Sequence, residues 1–252
     1  MLKCENLHFR YNSGGKNALN GASLALEQGQ IGIVLGRNGS GKTTLFKNIL
    51  GIHRPKQGAI TFEGENLLKM SRRERARRIA YVPQDIQFGD LTVFDSILMG
   101  RVSYFGMNAG REDYIAVENI LSHMGLTEFA HRSVVALSGG ERQKIAIARA
   151  MAQSPKMMIF DEPTGNLDIA NEQLIIQEAK KLAREQNIAI LASLHDLNQA
   201  LALGDVFFLM KDGVVRYTGG AEIFTEDVIF EIFDIRVKIA TIDGKKIILG
   251  GL

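Results

Sequence analysis

The stretch that most constrains this chain is residues 31–44, IGIVLGRNGSGKTT, where a short apolar run is followed by a glycine-rich turn and then by Lys-Thr-Thr. The spacing Gly36-x-x-x-x-Gly41-Lys42-Thr43 matches a phosphate-binding loop. Glycines let successive backbone N–H groups turn towards phosphate oxygens, and the helix that follows directs its unpaired N–H groups at the same anion. The sequence therefore predicts a binding site for a nucleoside triphosphate.

The residues around this loop favour a functional site over an ordinary glycine turn. A turn between a strand and a helix would not require Lys-Thr to follow the glycines, whereas the Lys42 ammonium can contact the β and γ phosphates and the Thr43 hydroxyl can hold Mg²⁺. Leu45, Phe46 and Ile49 recur at helical spacing after the turn. We therefore predict a buried strand, a phosphate loop and a helix in that order.

Charge gives no reason to expect a nucleic-acid partner. The 252 residues include 30 Lys and Arg against 28 Asp and Glu, a formal net charge of +2. The basic run at residues 71–79 is the local exception, and its Ser71-x-x-Glu74 spacing predicts a capped helix with a solvated face.

Cysteine usage and hydropathy indicate a reducing compartment and no membrane span. Cys4 is the only cysteine in the sequence, so an internal disulfide is excluded. The first ten residues lack an apolar signal core, and the longest apolar runs are far below the roughly 18 residues that a membrane span requires. Any role at a membrane is therefore expected to depend on a partner.

The rest of the chain is typical of an α/β fold interrupted by helices. Short strands are expected at residues 2–11, 23–27 and 59–63, which together indicate an antiparallel sheet beside the loop. Residues 92–130 carry helical spacing and no convincing strand, which predicts a helical insertion. Near the C-terminus, Asp243-Gly244 between two apolar runs predicts a β-hairpin.

A second candidate anion site lies in residues 137–143, LSGGERQ. Ser138 and Glu141 have the spacing of a capping box, so a helix is expected to begin there. Glycines at positions 139 and 140 would leave backbone N–H groups accessible at the positive end of that helix. A plain helix start explains the cap, but not why two glycines follow it at a cost of about 1 kcal/mol each.

Acidic and histidine side chains follow two further apolar runs. Residues 157–160 lead into Asp161-Glu162, and residues 188–193 lead closely into His195. Carboxylates at the carboxyl end of a buried strand lie where ligands meet an open parallel sheet, so Asp161 can bind Mg²⁺ and Glu162 can orient or deprotonate a water. A lone histidine is more often structural, but one in this position can sense a γ-phosphate.

Tyr11 leaves two interpretations open. It precedes the phosphate loop and could return to stack on an adenine face, as aromatic rings do with bases. It could equally be an ordinary tyrosine at the end of a strand.

In their order along the chain, the motifs GRNGSGKT, a glutamine after a strand, LSGGERQ, MMIFDEPTGNLD and LHD resemble the ATPase subunit of ATP-binding-cassette transporters over essentially the whole chain. LSGG between the two nucleotide-binding motifs is the discriminating element. The resemblance implies an α/β fold with a P-loop NTPase (RecA-like) parallel-sheet core, an antiparallel β subdomain and a helical subdomain insertion. Residues 1–252 would form one ATPase domain, with the helical subdomain at about 88–155 and a C-terminal β-hairpin at about 235–250.

The resemblance also implies a role for each site residue. Glu162 matches the catalytic base, His195 the switch histidine, and Gln84 the glutamine that touches Mg²⁺ and faces the membrane partner. Thr43, Gln84 and Asp161 would hold Mg²⁺. The residues implied to contact ATP are Tyr11, Gly36, Asn38, Gly39, Ser40, Gly41, Lys42, Thr43, Thr44, Ser138, Gly139, Gly140 and Asp168.

In proteins of this kind the segment that matches residues 137–143, called the signature, closes in one subunit on ATP held by the other, in a head-to-tail dimer. This chain has one phosphate loop and one LSGGE, so the resemblance implies that it needs a second copy of itself. Family members usually have Ser-Ala-Leu-Asp where Gly165-Asn166-Leu167-Asp168 stands here, which keeps the aspartate and changes the details of contacts across the subunits.

Residues 91–101 and the glycine-rich turn after them also resemble the helical region of importers for iron-siderophores, haem, cobalamin and related metal chelates or oxyanions. The implied function is ATP-driven import through a transmembrane permease, at the cytoplasmic face of the membrane and with an extracytoplasmic substrate-binding protein. Alternatives are an importer of another substrate such as molybdate or tungstate, and an exporter.

Two further function classes are less favoured. A soluble cassette ATPase that acts on DNA or the ribosome would carry a long coiled-coil insertion or a second cassette, and the sequence has neither. A nucleotide-binding regulator without turnover is disfavoured because Glu162 and His195 are both in place.

Overall fold

The computed structural model describes residues 1–11, 15–84, 86–163 and 169–250, without the side chains of residues 169 and 170. The chain divides into two compact units. Unit 1 is Met1–Lys69 with Lys180–Leu252, and unit 2 is Met70–Ala179.

Strands and helices alternate through most of the chain. The strands are β1 (Leu2–Phe9), β2 (Leu19–Leu26), β3 (Ile31–Leu35), β4 (Gln57–Phe62), β5 (Glu65–Asn66), β6 (Ile79–Val82), β7 (Met157–Asp161), β8 (Ala189–Ser193), β9 (Val206–Lys211), β10 (Val214–Gly219), β11 (Lys238–Ile242) and β12 (Lys245–Leu249). The α-helices are α1 (Lys42–Ile49), α2 (Arg72–Arg78), α3 (Val93–Leu98), α4 (Arg111–His123), α5 (Gly139–Met151), α6 (Ile169–Glu185), α7 (Leu197–Leu203) and α8 (Glu226–Phe233). Short 3-10 helices occupy Leu67–Lys69, Met99–Ser103, Thr127–Phe129, Val134–Ala136 and Ala221–Ile223.

Unit 1 contains a mixed sheet and an antiparallel sheet. In the mixed sheet β3 pairs in parallel with β8 and β9, and β10 runs antiparallel to β9. All residues of β3 and β8 are buried, as expected for strands covered on both faces. In the other sheet β1 lies between β2 and β4. Strand β2 begins earlier than its local pattern predicts, because Leu19 is buried and pairs with Phe9 at the far end of β1.

Unit 2 pairs two parallel strands and carries helices α2 to α5. Strands β6 and β7 are in register from Ile79 opposite Met157 to Val82 opposite Phe160. The two strands therefore end at the same edge, where Gln84 and Glu162 follow them. Parallel pairing in both units, with antiparallel strands beside it in unit 1, confirms the predicted α/β class.

Strands β11 and β12 form a separate two-stranded hairpin in unit 1. The connecting residues Asp243 and Gly244 have φ values of 50° and 75°. Positive φ at both positions is the property of the tight turns that suit the twist of a hairpin, which is why Asp-Gly is found there. In the described part of the chain, every helix is too short or too polar to cross a bilayer.

Candidate functional site

The phosphate loop of unit 1 connects buried strand β3 to helix α1, as predicted. A Cβ atom on Gly36 would collide with the carbonyl oxygen of Met210. Gly41 has φ 109°, and a Cβ there would lie 2.6 Å from the carbonyl oxygen of Ala18. The two fixed glycines of the motif are therefore required by backbone packed against them, in addition to any approach of a phosphate.

Two buried polar side chains make the loop suitable for an anion. Lys42 is only 5% exposed, and its ammonium donates to the carbonyl oxygen of Gly36 over 2.9 Å, across the loop. Ser40 is 6% exposed, and among the described residues its hydroxyl has no hydrogen-bond partner. A buried cation and an unused hydroxyl in one glycine-rich turn fit phosphate oxygens, which would satisfy both. Asn38 and Gly39 are exposed on the loop, and Thr43 is exposed in the first turn of α1.

Tyr11 is held in place by several contacts although the residue is 56% exposed. Its hydroxyl shares a 2.9 Å hydrogen bond with the Thr44 hydroxyl, which belongs to helix α1. The ring packs edge-on against Phe9 and His53, with centroid distances of 5.0 and 5.3 Å. An exposed aromatic ring that is fixed at its hydroxyl and along its edge is suited to stack on a base. The stacking of Tyr11 on adenine stays a prediction.

His195 is exposed in the short segment between β8 and α7. The Asp196 carboxylate caps α7 by accepting hydrogen bonds from the backbone N–H groups of Asn198 at 2.7 Å and Gln199 at 2.8 Å. The helix start therefore fixes the backbone immediately after His195.

In unit 2, Asp161 is buried at the end of β7 and is hydrogen-bonded by Tyr81 of β6. The Tyr81 hydroxyl donates to the carboxylate over 3.2 Å. Burial, and next the charge of Asp161, raise the pKa of Tyr81, so that the phenol stays a neutral donor. This contact orients the Asp161 carboxylate, and sequence reasoning missed it because a tyrosine within an apolar run carries no signal of such a partner.

Glu162 and Gln84 follow the paired strands of unit 2. Glu162 is half-buried and has φ 54°, in the left-handed region that a residue with a side chain rarely adopts. Such a conformation costs about 1 kcal/mol or more and is common at functional sites. Gln84 is exposed. Asp168 lies outside the described residues, so its assignment remains a prediction.

The signature segment of unit 2 starts helix α5 through the predicted capping box. The Ser138 hydroxyl accepts from the Glu141 backbone N–H at 3.3 Å, and the Ser138 N–H donates to the Glu141 carboxylate at 2.7 Å. The hydrogen bonds from Ser138 lower the pKa of Glu141. The Asn171 side-chain amide lies against Gly140, and it would have to move to admit a Cβ there. Gly139 has open space around it within the described structure. Ser138 and Gly139 are both exposed.

The predicted metal ligands suit Mg²⁺ bound together with a nucleotide. Among the described side chains, no group of three or more His, Cys, Asp or Glu is placed to hold a metal ion. Thr43, Gln84 and Asp161 offer a hydroxyl, an amide and one carboxylate, all oxygen donors. Mg²⁺ is usually held by one or two carboxylates with substrate phosphates and waters, so this donor set fits it.

Comparison with known proteins identifies the family. Residues 19–165 match the family model described as ABC transporter. The chain is 34% identical over 245 residues to the iron(3+)-hydroxamate import ATP-binding protein FhuC of Bacillus subtilis (strain 168), covering 95% of this chain and 90% of that protein.

Solved structures agree with the sequence match. A structure described as an inward-facing conformation of a proposed metal-chelate type ABC transporter superposes with a TM-score of 0.82 and 30% identity, covering 98% of this chain and 95% of that chain. A dimeric ATP-binding cassette in a post-hydrolysis state with ADP and Pi superposes with a TM-score of 0.77 and 28% identity, covering 89% and 100% of the two chains. The predicted P-loop NTPase fold is thereby confirmed. The chain belongs to the ABC transporter family, as an ATP-binding subunit of the kind that hydrolyses ATP.

Proposed function

We propose that this chain is the motor of an importer for a metal chelate such as an iron-siderophore, haem or cobalamin. The observation that carries the proposal is the superposition of 98% of the chain on a proposed metal-chelate type transporter with a TM-score of 0.82. The similarity to an iron-hydroxamate import protein supports the same substrate class. An importer of oxyanions and an exporter remain the competing functions, and they differ in the membrane partner.

The phosphate loop is proposed to bind ATP. Lys42 would exchange its hydrogen bond to the Gly36 carbonyl for the phosphates, and Ser40 would donate its unused hydroxyl there. Tyr11 would stack on the adenine. Thr43, Gln84 and Asp161 would hold Mg²⁺, which when bound neutralises charge on the β and γ phosphates.

Replacing Lys42 by alanine tests this assignment. We expect ATP affinity to fall by about tenfold or more, because a buried ammonium beside the phosphates contributes a charge-assisted hydrogen bond. Isothermal titration with ATP measures the loss. Lys47→Ala, a change on the same helix at a half-buried lysine outside the loop, should bind like the wild type. Unchanged affinity in Lys42→Ala would contradict the phosphate site.

Glu162 is proposed to act as the base that orients or deprotonates the attacking water. Its position directly after Asp161 places one carboxylate for a metal and one for a water on consecutive residues of the chain. His195 would contact the γ-phosphate, and Gln84 would link the metal to the membrane partner. These roles rest on positioning and electrostatics more than on covalent chemistry, as is general for phosphoryl transfer.

A second copy of the chain is proposed to complete each site. Ser138 and Gly139 are exposed at the start of α5, and the open space around Gly139 leaves room for a ligand carried by another molecule. The segment would offer the backbone N–H groups at the positive end of α5 to the phosphates of ATP on the partner. The dimeric ADP-bound cassette to which this chain is similar supports such an assembly.

Ser138→Arg is expected to abolish ATP-driven dimerisation while the monomer still binds ATP. The long cationic side chain would fill the exposed surface at the start of α5 and replace the capping hydroxyl. Sedimentation velocity with ATP, on a Glu162→Gln background that prevents turnover, measures dimer formation. Thr225→Arg, which changes the N-cap residue of α8, serves as the matched control. Normal dimerisation of Ser138→Arg would show that the signature has no role across the subunits.

The proposed membrane partner would dock on unit 2, and the protein would then lie at the cytoplasmic face of the membrane. A groove of about 510 Å³ there is lined by Arg72, Arg73, Met99, Val102 and Phe105, among others. Met99 and Val102 are 53% and 49% exposed, so the groove offers accessible apolar side chains together with two arginines. Such a surface suits a cytoplasmic permease segment with apolar and acidic residues.

Capture of the partner from detergent-solubilised membranes separates the competing functions. The expected result is capture of a permease whose gene lies beside the gene of a lipoprotein-type binding protein. Such a binding protein would deliver the metal chelate to an importer. An exporter-type permease, or ribosomes and DNA in place of a membrane protein, would contradict import.

A further inference from the structure

The C-terminal hairpin is attached to the helix that follows His195. The Asn198 side-chain amide donates from Nδ2 to the carbonyl oxygen of Ile248 over 2.9 Å. Its Oδ1 accepts from the backbone N–H of Ile248 over 2.8 Å. One side chain therefore satisfies both backbone groups of Ile248, the fourth of the five residues of β12.

This pair of hydrogen bonds is costly to lose. Ile248 is only 7% exposed, so its N–H and C=O are largely shielded from water and need partners. At Ile248 the Asn198 side chain takes the place of a neighbouring strand. It does so on the edge of β12 that faces away from β11. Few other side chains offer a donor and an acceptor in the same planar group.

The other end of this connection is close to the candidate active site. Asn198 is in the first turn of α7, three residues after His195, and its backbone N–H is held by the Asp196 cap at 2.7 Å. The backbone of residue 198 is thus bound to Asp196, while its side chain is bound to the hairpin. A shift of β12 must therefore either break two hydrogen bonds or move the start of α7.

The hairpin is also attached to the segment that leads into α8, elsewhere in unit 1. The Lys246 ammonium donates to the carbonyl oxygens of Phe224 at 2.8 Å and Glu222 at 3.3 Å. The Glu226 carboxylate accepts from the Ile239 N–H at 3.3 Å. These hydrogen bonds hold the hairpin in place, so that it can support α7.

We propose that Asn198 is a positioning residue for ATP hydrolysis, through which the C-terminal hairpin holds the segment that carries His195. The inference rests on the proposed role of His195 at the γ-phosphate. It assigns to residues 238–249 a function in turnover, with Asn198 acting through His195 and without contact to the nucleotide. Displacement or binding of the hairpin would then change the rate of hydrolysis.

Asn198→Ala is the direct test, with steady-state ATPase kinetics as the first measurement. We expect kcat to fall by about tenfold, because a small displacement of a reacting group lowers the rate steeply. KM for ATP should stay within about twofold, since the phosphate loop is on other elements. Asn198→Asp keeps the acceptor for the Ile248 N–H but sets a carboxylate oxygen against the Ile248 carbonyl oxygen, so kcat should fall there as well. Thr241→Ala, on the exposed part of the hairpin, should retain the wild-type kcat.

A double variant separates positioning from a general loss of stability. If Asn198 acts through His195, the variant with both His195→Ala and Asn198→Ala should be no slower than His195→Ala alone. Losses that multiply would overturn the inference. A wild-type kcat in Asn198→Ala would also overturn it.

Hydrogen exchange gives a result that does not depend on turnover. Asn198→Ala should speed exchange at the Ile248 amide and at the amides of residues 195–199. Unchanged exchange at residues 195–199 would overturn the inference even if the protein did not hydrolyse ATP. Failure of the proposed function is recognised separately, because wild-type protein would then show no more turnover than Glu162→Gln.

Discussion

Glu162→Gln is expected to bind ATP normally and to lose turnover by about a hundredfold or more. Glutamine keeps the shape of the side chain and one acceptor oxygen, but it cannot accept a proton from the attacking water or stabilise the positive charge that develops there. The phosphate loop lies on other elements, so affinity for ATP should change little. Phosphate release under steady-state conditions measures the rate, and titration with ATP measures the affinity.

Glu118→Gln provides the matched control for this prediction. Glu118 is an exposed glutamate on α4, also in unit 2, so the same chemical change there should leave the rate unaltered. Near-normal turnover in Glu162→Gln would exclude Glu162 as the catalytic base. A loss of ATP binding in the same variant would instead indicate that the carboxylate shapes the binding site.

Arg101→Met is expected to lower the free energy of unfolding by about 3–5 kcal/mol, because it leaves a buried carboxylate unpaired. Arg101 and Asp113 form a 3.0 Å ion pair with side chains only 11% and 10% exposed. The guanidinium also donates to the Ala152 carbonyl oxygen at 3.0 Å, at the C-terminal end of α5. One arginine thus joins the start of α4, the end of α5 and the 3-10 helix in which it lies.

Urea denaturation at neutral pH measures this loss, with Arg37→Met as the control. Arg37 pairs with Asp234 at 3.2 Å, but the side chains are 59% and 67% exposed, so its loss should cost at most about 1 kcal/mol. Equal, small effects of the two changes would show that the Arg101 pair does not stabilise the fold.

The stabilisation by Asp113 should also depend on pH. Burial acts to raise the pKa of this carboxyl, but the hydrogen bonds from the Gly110 N–H and from Arg101 outweigh it and hold the pKa below its ordinary value. Its contribution is therefore complete above the ordinary pKa of aspartate and is lost as the pH falls through the lowered value. The difference in stability between wild type and Arg101→Met should shrink accordingly in acid.

Local sequence patterns were sufficient to predict the phosphate loop, the capped signature helix and the terminal hairpin. Each of these features depends on residues close together in the chain. Glycine spacing in residues 36–41 determines which backbone conformations are accessible, Ser138 and Glu141 cap within one turn, and Asp243-Gly244 fits one tight turn. The α/β class followed from the same local patterns because buried strands and amphipathic helices have different periods.

Tertiary structure alone supplied the contacts that orient the candidate catalytic groups. Tyr81 and Asp161 are far apart in sequence and meet because β6 and β7 are in register, and Asn198 meets Ile248 because the hairpin packs on α7. The Asn171 side chain that lies against Gly140 likewise comes from another helix. Such contacts join residues through space and leave no periodicity in the chain. The sequence by itself therefore determined which chemistry this protein carries, while the packing of distant segments decided how Asp161 and the segment after His195 are held.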